Sequence, residues 1–481
     1  MTAKRLFLTA CALCCSLFVA LPGAQQRPDR SKPPALGPAP TLRLPAIQKR
    51  MLSNGLPVWV VEAHKVPLVQ ANLVVMAGSG DDPAGKFGLA NLTAAMLDEG
   101  AGSRSSLEIA DALDYLGASL DTSSSSDAAA VRLNVPAARL RDALPIMADV
   151  AIRPTFPAPD LERLRQERLT ALLQARDDPA QIVPFAFQRV VFGQAHRYGT
   201  GQVGTEATLK AFTPPDLKAF HDAMYQPSNA TLIIAGDVTT DAVLPMLEQQ
   251  FGGWKGTGQV RHTPVPAAPQ LTETRVTIVD VPMAAQSQIR IGLIGVPRST
   301  PDYFTLQVLN TILGGSFTSR LNQNLREEHG YAYGASSRFD MRLSPGPFMA
   351  AAGVQTDKTA ESLQEFFKEL NRIQDISPEE LTKAKNYVAL SMPGEFETIG
   401  DLASHLEELF VYKLPDDYFE RYVPNIQAVT AAAVQKAAAT YIQPKKMAVV
   451  VVGDRKVIEP RIRSLNLGSI QFLNVDQVVG S

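Results

Sequence analysis

Cysteine is nearly absent from this chain of 481 residues, and where it occurs it is confined to one short segment. The three cysteines, Cys11, Cys14 and Cys15, all lie in an apolar stretch at the N-terminus. The rest of the chain therefore has no residue that could form a disulfide, a thiolate metal site or a cysteine nucleophile.

An excess of positive charge is also absent. The chain has 46 Lys and Arg against 48 Asp and Glu, a formal net charge of −2, and no basic stripe. This charge balance argues against nucleic acid as a partner. With 45% hydrophobic and 20% charged residues, the chain can form sizeable cores. Its length favours roughly two to four domains.

The first 24 residues have the pattern of a secretory signal peptide. Lys4 and Arg5 precede an apolar run from Leu6 to Leu21, and small residues follow near Ala24. A membrane anchor is the alternative, which the shortness of the run disfavours. A lipoprotein signal ending at Cys11 is disfavoured because the apolar stretch before it is brief.

A proline-rich leader is predicted for residues 25–46, and no later apolar run approaches the roughly 20 residues of a membrane helix. Removal of residues 1–24 would leave a mature chain without cysteine. An exported chain of this kind suits a bacterial periplasm, which is the predicted location.

An internal repeat indicates that the chain is duplicated. TPPDLKAFHDAMYQPSNATLIIAGDV, from Thr213, aligns with TAAAVQKAAATYIQPKKMAVVVVGDR, from Thr430, at an offset of 217 residues. In each copy a helical pattern leads to a Gln-Pro pair and then to an apolar strand that ends in Gly-Asp. We therefore predict two structurally related halves.

The order of patterns within each half predicts an α+β fold. Strand patterns open each half, helical patterns follow, and a strand closes it. This order predicts two related domains, each a mostly antiparallel sheet covered by helices. The predicted boundaries are an N-terminal domain at 47–253, a linker at 254–274, a C-terminal domain at 275–470 and a tail at 471–481.

Several segments carry a resemblance to a known family. They are LSNGLPVWV from Leu52, MAGSGDDPAGKFGLANL from Met76, MLDEGAGSRSSLEIADALDYLGASLD from Met96 and ILGGSFTSRLNQNLREEHGYAYGASS from Ile312. With the duplication, they make the chain resemble the insulinase/pitrilysin type of zinc peptidase, an inverzincin group that includes mitochondrial processing peptidase. The resemblance covers nearly all of residues 47–470 and implies a clam-like metallopeptidase half-shell.

The zinc motif of this family is degenerate here. Active members carry H-x-x-E-H on the helix after the Gly-Leu-Ala turn, where the histidines bind zinc and the glutamate activates a water. At the corresponding positions, Asn91 and Ala95 replace the histidines and Ala94 replaces the glutamate. Alanine has no donor atom, and one asparagine is a poor zinc ligand. We therefore expect no metal or cofactor in this chain.

Other residues do not restore the site. In the family, a further acidic ligand comes from a downstream helix. By resemblance, this helix corresponds to residues 160–175 here, which contain Glu162 and Glu167. Solvated helix charges are the favoured interpretation of both. His405 begins HLEELF, which has Leu409 where a second histidine would be needed. We interpret all six histidines as surface or structural residues.

The second half retains a different part of the family's active site. In the family, a helix arginine followed seven residues later by a tyrosine contributes to the substrate-facing wall, and Arg326 and Tyr333 have this spacing. By resemblance, Arg326 binds a carbonyl or carboxylate of the peptide, and Tyr333 donates a hydrogen bond to the oxyanion. The alternative is that both residues only pack and pair with Glu327 or Glu328.

Residues around this pair are interpreted as structural. Gly330 is predicted to provide the turn out of the helix. Gly314 and Gly315 are interpreted as backbone-fitting residues, and Arg320 as a supporting charge. Tyr331 is an alternative aromatic residue, but its spacing from the arginine is five.

The leading hypothesis is a non-zinc-binding subunit of a heterodimeric periplasmic zinc metallopeptidase, since some relatives work as paired chains. A homologous H-x-x-E-H partner would hold the Zn²⁺, the general base and the attacking water. This chain would provide the substrate-binding wall and the oxyanion donors for a peptide or unfolded polypeptide, and would be inactive alone. The alternative is a catalytically inert scaffold or peptide-binding homologue.

Overall fold

Two six-stranded sheets organise the structure, a computed structural model that describes residues 37–256 and 258–480. The predicted signal peptide at 1–24 and the leader up to residue 36 lie outside the described residues. Both sheets belong to one unit that begins at Pro40.

The first half contains the first sheet, a small hairpin and the helices around them. Its strands are β1 (Gln48–Met51), β2 (Pro57–Glu62), β3 (Leu68–Val75), β4 (Gly100–Ala101), β5 (Arg104–Ser105), β6 (Ser119–Ser124), β7 (Ala129–Pro136) and β8 (Ala230–Gly236). Its helices are α1 (Leu89–Ala95), α2 (Ser106–Leu116), α3 (Leu140–Ile152), α4 (Ala158–Ala175), α5 (Pro179–Phe192), α6 (Glu206–Ala211), α7 (Pro214–Met224) and α8 (Thr240–Phe251).

The second half repeats this plan. Its strands are β9 (Arg275–Asp280), β10 (Gln286–Ile294), β11 (Ala332–Phe339), β12 (Pro347–Gln355), β13 (Ala448–Gly453) and β14 (Ser469–Leu473). Its helices are α9 (Tyr303–Leu313), α10 (Arg320–Asn322), which continues as π-turns over Gln323–Glu328, α11 (Thr359–Arg372), α12 (Pro378–Ser391), α13 (Ile399–Val411), α14 (Tyr422–Ala428), α15 (Ala431–Tyr441), α16 (Arg455–Ser464) and α17 (Val475–Val479).

Strand order confirms the duplication. The first sheet runs β1-β2-β8-β3-β7-β6, and the second runs β14-β9-β13-β10-β12-β11. The pairs β2–β8 and β9–β13 are parallel, and the three pairs beyond them in each sheet are antiparallel. Only the outermost pairs differ, because β1 is antiparallel to β2 whereas β14 is parallel to β9. The predicted α+β fold with mostly antiparallel sheets is therefore confirmed.

Each half places a helix on the sheet of the other half. α5 of the first half packs on β10 and β13, and α13 of the second half packs on β3 and β8. The fit is close at Gly292, where a Cβ would lie 2.8 Å from the ring of Phe187. The central strands β8 and β13 are buried along their whole length, which explains their continuous apolar sequences.

A partly buried ion pair joins α13 to the first sheet. The guanidinium of Arg132 on β7 binds Glu407 on α13 through Nε–Oε1 at 2.8 Å and Nη2–Oε2 at 2.6 Å. The amide of Asn72 on β3 donates to the same carboxylate at 2.6 Å. Only 12% of the Glu407 side chain is exposed. This bidentate contact fixes the position of α13 on the sheet.

The predicted linker and the predicted C-terminal tail differ in structure. The described residues of the predicted linker at 254–274 form neither helix nor strand and lie between the end of α8 and the start of β9. The predicted tail at 471–481 includes the end of β14 and α17, whose Val478 and Val479 are buried beside α5. Among the described residues, no helix combines the length and apolar content that a membrane crossing requires.

Candidate functional site

α1 carries the degenerate zinc motif on a short helix whose start is defined by Gly88, with φ of 97°. The positions of the metal ligands and general base hold Asn91, Ala94 and Ala95, which together present one amide and two methyl groups. Within residues 37–256 and 258–480, no three His, Cys, Asp or Glu side chains are grouped closely enough to hold a metal ion. A zinc site needs at least three such ligands, so these residues do not fit zinc.

The N-terminus of α1 is held by a buried carboxylate that no sequence motif indicated. Asp82 accepts hydrogen bonds from the backbone N–H of Gly88 and of Ala90, both at 2.7 Å. Burial raises the pKa of Asp82 to about 7. The helix is thus fixed at its start although the chemistry of its motif is gone.

A guanidinium approaches α1 from α4, the helix expected to carry the family's acidic ligand. Nη2 of Arg168 lies 3.4 Å from the carbonyl oxygen of Asn91. Its Nη1 is buried and has no hydrogen-bond partner among the described residues. Burial lowers the pKa of Arg168 to about 10, which still leaves the group charged at neutral pH. A positive charge here repels a divalent cation.

The two glutamates of α4 are solvent-exposed, as the sequence predicts. Glu162 pairs with Arg165 and Glu167 pairs with Arg163, each at 2.9 Å along the same helix. Both carboxylates are therefore engaged in helix-surface ion pairs, and neither lies in a group of potential metal ligands.

Arg326 and Tyr333 lie side by side at the surface. The Arg326 guanidinium stacks on two rings, 4.4 Å from the centroid of Phe317 and 5.2 Å from that of Tyr333. Its Nε is 3.3 Å from a carboxylate oxygen of Glu327, the pairing that the sequence allowed as an alternative. Tyr333 is 88% exposed and Phe317 is 63% exposed. Tyr333 therefore faces solvent, whereas the Arg326 side chain between the two rings is only 29% exposed.

The backbone around the pair turns Tyr333 outward. Gly330, with φ of 63°, ends the helix as predicted, and the N–H of Tyr331 donates to the carbonyl of Leu325 at 2.9 Å. β11 then has a register shift against β12 between Ala332 and Ala335, which is a β-bulge that contains Tyr333. Bulges of this kind redirect a side chain relative to the sheet.

The Gly-Gly turn before this helix is tightly packed, in agreement with its interpretation as backbone-fitting. A Cβ on Gly314 would lie 2.2 Å from the backbone nitrogen of Ser337 on β11. A Cβ on Gly315 would lie 2.6 Å from the side-chain amide of Asn310. Only glycine allows the end of α9 to approach the sheet this closely.

Arg320 has a structural role. Its guanidinium binds Glu380 on α12 through Nε–Oε1 at 2.6 Å and Nη2–Oε2 at 2.8 Å. It also donates to the carbonyl of Arg372 at 2.9 Å. The bond from Arg320 lowers the pKa of Glu380 to about 2. Arg320 therefore anchors the helix of Arg326 to α11 and α12.

The histidines have structural contacts, as expected. Nε2 of His196 is 2.8 Å from the carbonyl of Pro266, and Nε2 of His221 is 3.0 Å from that of Ala151. Burial lowers the pKa of His221. His405 stacks on a phenylalanine ring with 4.3 Å between centroids. The remaining three lie beside carboxylates: His64, His262 and His329.

The degenerate motif and the Arg–Tyr pair are next to topologically equivalent edge strands of the two sheets. α1 packs against β6, the edge strand of the first sheet, and Tyr333 lies on β11, the equivalent edge strand of the second. Phe317 was not predicted as a site residue, although an aromatic residue in a Gly-rich turn is a signal that the sequence contains. Arg168 had no such signal, because its contact with α1 depends on tertiary packing.

Comparison with protein-family models identifies both halves. The model described as "Insulinase (Peptidase family M16)" matches residues 58–194, and the model described as "Peptidase M16 inactive domain" matches residues 211–388. The first match includes α1, so it does not depend on an intact zinc motif.

Relatives and solved structures agree with these matches. An uncharacterized zinc protease of Mycobacterium tuberculosis is 27% identical over 342 residues, covering 69% of this chain and 75% of the relative. The uncharacterized zinc protease YmxG of Bacillus subtilis is 24% identical over 351 residues, covering 72% of this chain and 83% of the relative. The crystal structure of a peptidase M16 inactive domain from Pseudomonas fluorescens has a TM-score of 0.79 and 25% identity, covering 85% of this chain and 98% of its own. The crystal structure of a protease from Helicobacter pylori shares the fold, with a TM-score of 0.79 and 21% identity. The match covers 85% of this chain and 100% of the protease chain.

Proposed function

The chain belongs to the insulinase family, peptidase family M16, and from this membership we propose that it is the non-zinc-binding subunit of a two-chain metallopeptidase. The observation that carries the proposal is that Arg326 stacks beside the exposed Tyr333 on a fold whose zinc motif has no metal ligands. A homologous partner with H-x-x-E-H would hold the zinc, the general base and the attacking water. The chain alone is a peptidase-like scaffold.

The geometry supports distinct roles for the two residues. Stacking between Phe317 and Tyr333 orients the Arg326 guanidinium, and its nitrogens other than Nε, which contacts Glu327, can bind a peptide carbonyl or carboxylate. The phenolic hydroxyl of Tyr333, on a side chain that is 88% exposed, can donate to the oxyanion of a substrate held by the partner. Neither role needs a metal in this chain.

The partner is proposed to act in the same compartment, the bacterial periplasm. The support is the sequence of residues 1–24, with basic residues before an apolar run and small residues after it. Fractionation of cells that produce the full chain tests this proposal. Recovery of a shortened chain in the periplasmic fraction is expected, and an unprocessed chain in the cytosol would contradict it.

The decisive experiment compares this chain alone, an H-x-x-E-H homologue from the same genome alone, and the two together, on a quenched fluorescent peptide. Activity is expected only in the mixture. Tyr333→Phe is expected to lower kcat by about 10²-fold with little change in KM, since an oxyanion donor acts in the transition state. Arg326→Ala is expected to raise KM. Tyr115→Phe is the matched control, because that tyrosine is 84% exposed on α2.

Two outcomes would contradict the proposal. Chelator-sensitive activity of this chain alone would mean that it holds its own metal. Full activity of the mixture with the double variant Arg326→Ala, Tyr333→Phe would instead favour the alternative of an inert scaffold. Zinc content of each purified chain separates these cases further, since only the partner is expected to retain zinc.

A further inference from the structure

A cavity of about 320 Å³ lies beside the helix that carries Arg326. Residues of this helix line it together with residues from α9, α11 and α12. Its volume is at the lower end of the roughly 300–1,000 Å³ typical of small-molecule sites. The cavity contains neither the Arg–Tyr pair nor α1, so the proposed peptidase role leaves it unexplained.

Two residues that line the cavity each have a buried side-chain oxygen that lacks a hydrogen-bond partner among the described residues. These oxygens are Oδ1 of Asn324 and Oε2 of Glu369, and both residues are 3% exposed. The amide nitrogen of Asn324 donates to Oε1 of Glu369 at 2.9 Å and to Oε2 of Glu365 at 2.8 Å. These bonds fix the amide orientation, so that Oδ1 must accept from another group. Buried acceptors without a donor are costly and uncommon in folded proteins.

The cations around the cavity do not satisfy these two oxygens. Arg320 is bound to Glu380, and Lys368 is bound to Glu365 at 2.7 Å. Arg372 is 3.6 Å from the other oxygen of Glu369, Oε1. Among the described residues, the carboxylate of Glu369 therefore has no cation closer than 3.6 Å, and a carboxylate beside an amide oxygen favours an ammonium group as its ligand.

The exposed part of the lining includes cations together with the carboxylate of Glu328. Lys383 is exposed and, among the described residues, makes no ion pair or hydrogen bond. The side chain of Arg372 is 53% exposed. Ile312, Ala384 and Tyr387 provide apolar surface. The site thus offers acceptors inside, cations at its rim and an apolar wall, which together complement an ammonium, a carboxylate and an apolar side chain.

We propose that this cavity binds a zwitterionic α-amino acid with an apolar side chain, with its ammonium on Glu369 and Asn324 and its carboxylate beside Lys383. A free amino acid and a short peptide product share this chemistry. The backbone carbonyl of Asn324 accepts the N–H of His329 at 3.1 Å, in the π-turn that contains Arg326. Occupancy of the cavity therefore stabilises the segment that presents the Arg–Tyr pair. The proposal does not depend on a partner subunit.

Isothermal titration calorimetry tests the proposed amino-acid site. The full chain is titrated with L-leucine, Leu-Gly, N-acetyl-L-leucine and L-leucinamide. L-leucine or Leu-Gly is expected to bind, and the one that binds more tightly identifies the source of the ligand. Blocking either charged group is expected to weaken binding by about tenfold or more, the usual effect of losing one charge-assisted hydrogen bond.

Variants separate this site from general effects on folding. Glu369→Gln is expected to weaken L-leucine binding by about tenfold or more, and Lys383→Gln by about fivefold to tenfold. Lys436→Gln, at an exposed position on α15 away from the cavity, is the control and should bind as the parent does. Lys383 is exposed, so its variant stays informative even if Glu369→Gln does not fold.

The proposal fails if neither L-leucine nor Leu-Gly binds, which would mean that the two oxygens hold water alone. It also fails if the blocked analogues bind as well as L-leucine, or if Lys383→Gln and Lys436→Gln behave alike. None of these results depends on peptidase activity, so failure here is distinguishable from failure of the proposed function.

Discussion

Returning two histidines to α1 should not be enough to give this chain a firm zinc site. The substitutions Asn91→His and Ala95→His place imidazoles at i and i+4 on one helix face, the spacing that binds zinc in active members. Arg168 remains, however, with its guanidinium 3.4 Å from the carbonyl of residue 91. We expect its charge to weaken zinc binding strongly.

The size of this effect follows from Coulomb's law. For the estimate, we take a separation of about 8 Å between the guanidinium, with a charge of +1, and an ion of charge +2 held by side chains 91 and 95. With an effective dielectric constant of about 20, the repulsion is about 4 kcal/mol, or on the order of 10³-fold in affinity. Adding Arg168→Met to the two histidines should therefore tighten zinc binding by that factor.

Competition titration against a chromophoric zinc chelator measures both affinities, and metal analysis after dialysis measures the stoichiometry. Arg139→Met, in place of Arg168→Met, controls for loss of an exposed charge elsewhere in the first half. Equal zinc affinity with and without Arg168 would refute the electrostatic reasoning. Stoichiometric, tightly held zinc in the unmodified chain would refute the assignment of α1 as a helix without metal ligands.

Three further predictions concern stability, each measured by urea denaturation. Glu407→Ala should lower the free energy of unfolding by about 3–5 kcal/mol because it leaves a charge without its partner, and Arg132→Leu in addition should recover much of this loss. Gly314→Ala should cost about 2 kcal/mol or more through its backbone clash, whereas Gly253→Ala, where a Cβ meets nothing within 4 Å, should change stability by less than about 0.5 kcal/mol. The pKa of Glu380 is lowered from 4.5 to about 2, so its ionised form stabilises the fold above pH 4.5 and this contribution is lost as the pH falls toward 2. Glu380→Gln should therefore cost about 2 kcal/mol at pH 7, allowing for partial solvent exposure, and clearly less at pH 3; an equal cost at both would contradict the ion-pair explanation.

The parts of the structure that depend on local pattern could be predicted from the sequence. The repeat at an offset of 217 residues identified β8 and β13, which occupy equivalent central positions in the two sheets. Gly330 marked the end of a helix, and the absence of donor atoms at Ala94 and Ala95 followed from residue identity alone. These features are determined by a few neighbouring residues, so no knowledge of the tertiary structure was needed.

The remaining features depend on contacts between distant segments. Arg168 is 77 residues from Asn91, and Arg132 is 275 residues from Glu407, so no local pattern pairs them. The outward direction of Tyr333 comes from a bulge whose register is set by β12, not by the tyrosine's neighbours. The helix of Arg326 was predicted, but its π-turns were not, because they depend on how the segment packs between β11 and α11.

Because α5 packs on the second sheet and α13 packs on the first, this chain cannot be divided simply between its two halves. A cut in the segment between α8 and β9 would strip each sheet of the helix that covers one of its apolar faces. Each fragment would then expose an apolar sheet face to water. Each would tend to aggregate unless the other fragment were present to refold with it. We therefore expect the two halves to fold as one cooperative unit, although the sequence contains two copies of one plan.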